Sequence, residues 1–347
     1  MKAMSSRYPA NKLSVSRNFL TSLLLVVFAL GVFIGSRRAL LAPPAPGAGR
    51  QQSTALDENF KYIRGSVSAG EPDQRNRNRE LAPFRYKIKA IIDDKIRKHE
   101  IEKGSIYFRD LNNGNWFGIK EKEKFSPKNL LKLPLMIAYF RWAEANPSVL
   151  RKRIDYQGDH SPPATDPAIK TGLEAGSQYS VHDLIFRMIA DDDDRAYDLL
   201  FAAIPPARLD KVFKDLNVDY DPHNRDDEMS LRSLASFYRV LFNASYLNEE
   251  YSEIALRYLS KSSLRHAMAS VVPLNIEIAA KSGQRTVKTV ENGKEVELEQ
   301  MHEFGIVYHP RHPFLIGIMV RGENAPALNK TIRDVTKAVY EEIDSQS

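Results

Sequence analysis

Three short stretches of this sequence carry residue types that could do chemistry. Lys132 lies in the first turn of an apolar helix predicted to begin near Asn129, residues 192–194 form a run of aspartates, and residues 281–283 read Lys-Ser-Gly. A buried ammonium costs several kcal/mol unless it is paired. Lys132 is therefore expected either to be salt-bridged for structure or to be held in place for proton transfer.

The elements that must position these residues begin with the helix that carries Lys132. From Leu130 to Trp142 the sequence is apolar on nearly every side, which is typical of a helix at the centre of a domain. An amphipathic helix is predicted before it at 83–102. A hairpin of Ser105–Arg109 and Trp116–Ile119 is predicted around the turn residues DLNNGN.

The rest of the chain is first helical and then β-rich. After a loop at 155–179, the pattern predicts five helices, near 180–190, 194–203, 206–215, 230–243 and 250–260. Three strands at 277–282, 301–308 and 314–321 and a closing helix at 326–344 follow. The expected fold class is therefore α+β, with an antiparallel sheet formed from both chain ends, flanking helices and an inserted all-helical block.

This order of elements, together with the three motifs, resembles the class A β-lactamase and penicillin-binding transpeptidase superfamily over about residues 82–345. The family carries Ser-x-x-Lys at the start of the central helix, Ser-Asp-Asn in the helical block and Lys-Thr-Gly or Lys-Ser-Gly on a strand. Lys281-Ser282-Gly283 matches the third motif. Asp192-Asp193-Asp194 stands where the second belongs, and Lys132 where the lysine of the first belongs. The resemblance implies a serine hydrolase fold whose cleft takes a β-lactam or a cell-wall peptide.

The first motif departs from the family at its nucleophile. Three residues before Lys132 stands Asn129 rather than serine, and an amide has no hydroxyl for a base to activate. We expect Asn129 to be an N-cap, since asparagine is among the best residues there. Ser126 is the alternative nucleophile, but it lies before the predicted helix and is expected to project away from Lys132.

The second motif departs in a related way, with Asp192 and Asp194 in place of serine and asparagine. The resemblance implies that Asp192 lies between Lys132 and Lys281, where a carboxylate would keep both lysines cationic and unsuited to act as bases. A solvated acidic loop remains the alternative. The two lysines disfavour a metal ion among these carboxylates, and no cofactor is expected.

Two further groups of residues, one acidic and one of histidines, have no predicted catalytic role. The stretch that should supply the deacylating glutamate of class A enzymes has no clear counterpart, and neither Asp219 nor Asp221 is assigned that role. His309 and His312 flank a predicted turn and are expected to be exposed.

The N-terminal residues predict a membrane-anchored chain. Residues 19–35 form an apolar run of 17 residues, which would span about 25 Å as a helix, the short end of a membrane crossing. A cleaved signal peptide is the alternative, but Arg37 and Arg38 follow where a small-residue cleavage site would stand. We therefore expect a cytoplasmic basic segment at 1–18, a transmembrane anchor at 19–35, a disordered linker at 36–80 and an extracytoplasmic domain at 81–347.

Charge and composition limit the function classes. The net charge of +6 comes from seven cationic side chains within residues 1–50, leaving 43 cationic against 44 acidic side chains downstream. The domain thus gives no electrostatic case for nucleic acid, and the absence of cysteine excludes thiol catalysis. Two classes remain. One is a catalytically inactive module that binds a cell-wall peptide or envelope protein, with Lys281, Ser282 and Gly283 receiving a carboxylate. The other is an active serine hydrolase, β-lactamase or peptidase that uses Ser126.

Overall fold

The computed structural model describes residues 60–64, 81–158, 172–224, 227–262, 267–291 and 294–346. Eight α-helices lie in these residues: α1 (Ala82–Arg97), α2 (Lys132–Ala145), α3 (Val181–Ala190), α4 (Asp194–Ala203), α5 (Pro206–Asp215), α6 (Leu231–Phe242), α7 (Glu249–Ser260) and α8 (Ala325–Ser345). Short 3₁₀ helices occupy Lys128–Leu131, Pro147–Arg151 and Met268–Ser270.

Nine strands accompany the helices: β1 (Lys103–Asp110), β2 (Trp116–Ile119), β3 (Lys124–Phe125), β4 (Arg153–Tyr156), β5 (Ser177–Ser180), β6 (Met229–Ser230), β7 (Ile278–Glu291), β8 (Lys294–Val307) and β9 (Phe314–Gly322). Five of them form an antiparallel sheet in the order β2-β1-β9-β8-β7. The sheet joins the start of the domain to its end, so the predicted α+β fold with an inserted helical block is confirmed.

The two faces of the sheet bury different apolar clusters because side chains alternate along each strand. On one face, residues such as Phe108 and Ile316 pack with α1 and α8. On the other, Phe304 and Leu315 pack against the helical block, in which α2 buries ten of its fourteen residues. Tyr238 of α6 ties the two layers together by donating a hydrogen bond to the Phe304 carbonyl at 2.8 Å. The helix that carries Lys132 is therefore central, as its composition predicts.

Several predicted boundaries differ from the structure for local reasons. The first helix ends at Arg97 rather than at 102 because His99 takes a positive φ of 56°. The Glu102 N–H group then donates a hydrogen bond to the Arg321 carbonyl of β9. The predicted loop at 155–179 contains the paired strands β4 and β5 at its ends. The charged stretch after residue 282 continues the long β7–β8 hairpin, whose strands have 14 residues each.

Residues 60–64, which we call the docked segment, lie against the domain. The carboxylate of Glu253 accepts hydrogen bonds from the backbone N–H groups of Lys61, Tyr62 and Ile63, at 2.9, 2.8 and 3.1 Å. The Tyr62 ring meets Tyr308 edge to face and is buried. These five residues lie within the linker predicted at 36–80, and burial of Tyr62 and Ile63 together with the Glu253 contacts offsets the entropy of ordering them.

The predicted membrane anchor at 19–35 lies outside the described residues. Within the described residues, no helix combines the length and the apolar composition that a membrane crossing needs.

Candidate functional site

The first part of the site is the 3₁₀ helix that leads into α2. The Leu130 N–H donates to the Pro127 carbonyl at 3.0 Å, and the α-helix has Leu131 as its N-cap, without a side-chain capping bond. The prediction that Asn129 caps the helix is therefore wrong, because the 3₁₀ helix already precedes the first α-helical turn. The Asn129 side chain instead donates through Nδ2 to Oδ2 of Asp192 at 2.7 Å.

Lys132 is buried, and its ammonium group contacts three oxygen atoms. Its side chain is 2% exposed, and Nζ donates hydrogen bonds to the Asp192 carbonyl at 2.8 Å and to Asp192 Oδ1 at 2.9 Å. It also forms an ion pair with Asp194 Oδ1 at 2.6 Å. Partners within the protein therefore surround the Lys132 ammonium group.

The aspartate run divides between buried and exposed positions. Asp192 adopts a positive φ of 58°, which turns its side chain inward from the end of α3, and Asn or Asp tolerates this conformation better than most residues. Asp193 caps α4 by accepting from the N–H groups of Arg195 and Ala196. Asp194 is 78% exposed. The run is therefore not a solvated loop as a whole: Asp192 and Asp193 are buried.

Lys281 enters the cluster from β7 on the other side of the Asp192 carboxylate. Its Nζ pairs with Asp192 Oδ1 and donates to the Ile189 carbonyl at 3.0 Å, and its side chain is fully buried. Burial, reinforced by the nearby Lys132 charge and opposed by Asp192, lowers the pKa of Lys281 to about 8. These partners of Lys281 are groups of the protein itself, whereas the sequence predicts that Lys281 receives a ligand carboxylate.

The arrangement of Asn129, Lys132, Asp192 and Lys281 is a hydrogen-bonded ion cluster. One carboxylate, that of Asp192, binds an amide and two ammonium groups at once. Asp194 supplies a second negative charge. The cluster therefore contains two ammonium groups and two carboxylates, and it can remain charged without a ligand.

Ser282 and Gly283 continue the third motif along β7. Ser282 is partly exposed, whereas Gly283 is buried. A side-chain carbon at Gly283 would lie 3.5 Å from the Pro127 carbonyl and 3.6 Å from the Asn129 nitrogen. The backbone that precedes α2 thus approaches β7 closely at Gly283.

Ser126 has a partner other than Lys132. Its side chain is buried, and Oγ accepts a hydrogen bond from Arg285 Nη1 at 2.7 Å. Arg285 stands two residues after the Lys-Ser-Gly motif and was not predicted from the sequence. His302, also missed, is buried beside Phe125 and beneath Gly283, and burial lowers its pKa to about 4. Its isolation in the sequence gave no signal of this position.

The other candidate residues have partners outside the ion cluster. Asp219 is exposed and pairs with Lys124, and Asp221 accepts from the His223 N–H group. His309 is buried against Tyr340 of α8, so the prediction that it is exposed is wrong. Among the described residues, no group of three or more His, Asp or Glu side chains is arranged to hold a metal ion.

Comparisons with known proteins agree with this geometry. A family model described as a beta-lactamase enzyme family matches residues 83–343. The chain resembles the solved structure of PBP-A with a TM-score of 0.61 and 16% identity, over 82% of this chain and 99% of that one. A mutant of PBP-A in an acyl-enzyme complex with penicillin G gives 0.63 and 18%, over 76% and 97%. A beta-lactamase from Chitinophaga pinensis gives 0.63 and 15%, over 75% and 98%. At these identities the structures show a shared fold alone, and no curated protein matches the chain.

Proposed function

Because this chain belongs to the beta-lactamase enzyme family, we propose that it is a member without acyl-transfer activity that serves as a membrane-tethered binding module outside the cytoplasm. The observation that carries the proposal is the Asn129 amide, which stands at the position of the family's nucleophile and donates to Asp192. The same carboxylate pairs with both lysines. The site therefore lacks a nucleophile and also holds the potential bases in ion pairs.

Acyl transfer in such a cleft needs a hydroxyl and a group that removes its proton. Asn129 supplies neither, since its amide nitrogen already donates to a carboxylate. Lys132 Nζ is engaged by the Asp192 carbonyl, the Asp192 carboxylate and the Asp194 carboxylate rather than directed at a substrate hydroxyl. Supplying a hydroxyl alone would therefore leave both motif lysines engaged by the Asp192 carboxylate rather than by the hydroxyl.

Ser126 does not replace the missing nucleophile in this arrangement. Its hydroxyl is buried and accepts from a guanidinium, which is a permanent donor and cannot remove a proton. Lys132 is paired with Asp192 and Asp194, and Lys281 is paired with Asp192. These contacts disfavour the alternative of an active hydrolase that uses Ser126.

Strand β7 has the position in the sheet that is needed to pair with an extended peptide. β7 is at the edge of the sheet and pairs with β8 alone among the described strands. Edge strands offer backbone N–H and C=O groups to an added strand, and Ser282 is partly exposed on this edge. The proposed ligand is thus an extended peptide, from the cell wall or from an envelope protein. The apolar run at 19–35 would hold the module at the membrane.

Exposure of the full-length protein to a fluorescent penicillin, followed by intact mass measurement, tests the absence of acylation. We expect the mass of the protein to be unchanged. A stoichiometric adduct that is lost in Ser126→Ala would overturn the proposal and establish Ser126 as a nucleophile. An adduct retained in Ser126→Ala would overturn it as well and point to a different hydroxyl.

A further inference from the structure

A second polar pocket lies at the edge of the sheet opposite to the Lys-Ser-Gly strand. It has a volume of about 280 Å³ and is enclosed by β1, β2, the start of α6 and the turn after α5. The strand order places β2 at one edge and β7 at the other. The pocket is therefore separate from the ion cluster, and an inference about it goes beyond the proposed function.

The side chains that line this pocket are unusually basic. Three arginines and three serines contribute to it: Arg109, Arg232, Arg239, Ser230, Ser233 and Ser236. Positions 232, 236 and 239 recur at intervals of four and three, so they share one face of α6. None of the described residues that line the pocket is acidic. Three cationic groups thus face one small volume without a carboxylate in its wall.

Two of these arginines are available to a ligand. Within the described part of the chain, neither Arg109 nor Arg232 forms an ion pair with a carboxylate. Arg232 is exposed and lies over the ring of Trp116, with 5.2 Å between its guanidinium carbon and the ring centroid. Trp116 in turn stacks on Tyr107 at 5.6 Å between ring centroids. One wall of the pocket is therefore a flat aromatic surface with a guanidinium above it.

The hydroxyl groups add donors at the positive end of a helix. Ser230 is the N-cap of α6, and its Oγ accepts from the Ser233 N–H group at 3.2 Å and lies 3.0 Å from Ser233 Oγ. The N-terminus of a helix carries a partial positive charge that favours anions. Guanidinium forks match oxyanions in geometry. All three features favour a ligand with several anionic oxygens.

We propose that this pocket binds a small phosphorylated ligand, with the phosphoryl group held by Arg109 and Arg232 beside Trp116. A phosphoryl group carries up to two negative charges and three acceptor oxygens. A single carboxylate has one charge and would leave more of the cationic wall uncompensated. The volume lies just below the usual range for pockets of drug-sized ligands, which suits a phosphate with a small attached group.

The test uses the full-length protein in detergent and two phosphate probes, inorganic phosphate and pyrophosphate. Calorimetry measures binding, with sodium acetate at matched ionic strength as the carboxylate comparison. The chain has two tryptophans, so the Trp142→Phe variant leaves Trp116 as the sole fluorescent reporter in the pocket. We expect saturable phosphate binding, a saturable change in Trp116 fluorescence in that variant, and at least tenfold weaker acetate binding.

Charge variants locate the binding. Arg232→Gln and Arg109→Gln should each weaken phosphate binding at least tenfold by calorimetry, whereas Arg257→Gln, an exposed arginine on α7, should leave it unchanged. Three results would overturn the proposal: no saturable phosphate binding, equal binding of acetate and phosphate, or phosphate binding that survives in both pocket variants. Circular dichroism of each variant verifies that its fold is retained. None of these measurements depends on β-lactam acylation, so the two proposals fail independently.

Discussion

Replacing Asp192 by asparagine tests the ion cluster through its energetics. The substitution keeps the size of the side chain, and asparagine also tolerates the positive φ of 58° found at this position. It removes the charge that Lys132 and Lys281 share. Two ammonium groups would then lie close together in a buried site, and Asp194 would still pair with Lys132.

The expected cost follows from burial. Removing one partner of a buried ion pair costs about 3 to 5 kcal/mol, and Lys132 and Lys281 are 2% and 0% exposed. Asp194→Asn is the matched control, because it makes the same chemical change two residues away, at a carboxylate that also contacts Lys132. Asp194 is 78% exposed, so its loss should cost less than about 1 kcal/mol.

The same variant predicts a particular dependence on pH. The native pKa of Lys281, about 8 against an ordinary 10.5, means that the native state releases this proton first, so stability rises as pH increases from 8 to 10.5. The difference between the native and the ordinary pKa of Lys281 corresponds to about 3 kcal/mol in the free energy of unfolding. Without the Asp192 charge the pKa of Lys281 falls further. The penalty of Asp192→Asn should therefore be largest at pH 7 and smaller at pH 9.5, where the lysine is neutral.

Urea unfolding of the full-length protein in detergent, followed by tryptophan fluorescence at both pH values, measures these differences. We expect a loss of several kcal/mol for Asp192→Asn at pH 7 that diminishes at pH 9.5, and a small, constant loss for Asp194→Asn. Equal small losses for both variants at pH 7 would refute the argument that the cluster is desolvated and shares one carboxylate.

Two further predictions concern buried carboxylates outside the cluster. Glu253→Ala should leave three backbone N–H groups of residues 60–64 without their acceptor, at a cost of about 1 to 3 kcal/mol. Trypsin should then cleave within residues 60–64 faster than in the exposed control Glu250→Ala, and equal rates would contradict this. Burial raises the pKa of Glu303 to about 7 from 4.5. Between these two pH values the carboxyl group is ionised in the unfolded state and still protonated in the native state, so the free energy of unfolding falls as pH rises from 4.5 to 7. The two carboxylate oxygens of Glu303 accept from the N–H groups of Ala267 and Met268, so Glu303→Gln should lower stability at pH 4 by leaving one N–H group without an acceptor. That loss should shrink by up to about 3 kcal/mol at pH 8, and identical pH profiles of wild type and variant in urea unfolding would contradict the assignment.

Much of the fold was predictable because its elements have strong local patterns. The apolar stretch after Asn129 required a central helix, and Ser180 and Ser230 mark the starts of α3 and α6 by capping them. The strands β4 and β5 were not predicted, since RIDY and SQYS are largely polar and exposed. Their pairing depends on partners more than twenty residues apart in the chain, which a local pattern does not reveal.

The candidate site was also predictable only in part from the sequence. Lys132, Asp192 and Lys281 come together because the motif order fixes which elements meet, and those elements are set by the fold. The side chain of Asn129 was assigned by local preference to a cap, whereas its partner lies 63 residues away. The docked segment was missed because a few apolar residues within a polar stretch carry little periodic signal, although Tyr62 and Ile63 are both buried.

Acylation of two designed variants shows whether Asp192 as well as Asn129 silences the site. Full-length Asn129→Ser and the double variant Asn129→Ser/Asp192→Ser are each incubated with penicillin G and their intact masses measured. We expect the single variant to stay unmodified, because Asp192 still pairs with both lysines, and the double variant to gain one penicillin. Acylation of the single variant, or none in the double variant, would refute a joint role of Asp192 and Asn129.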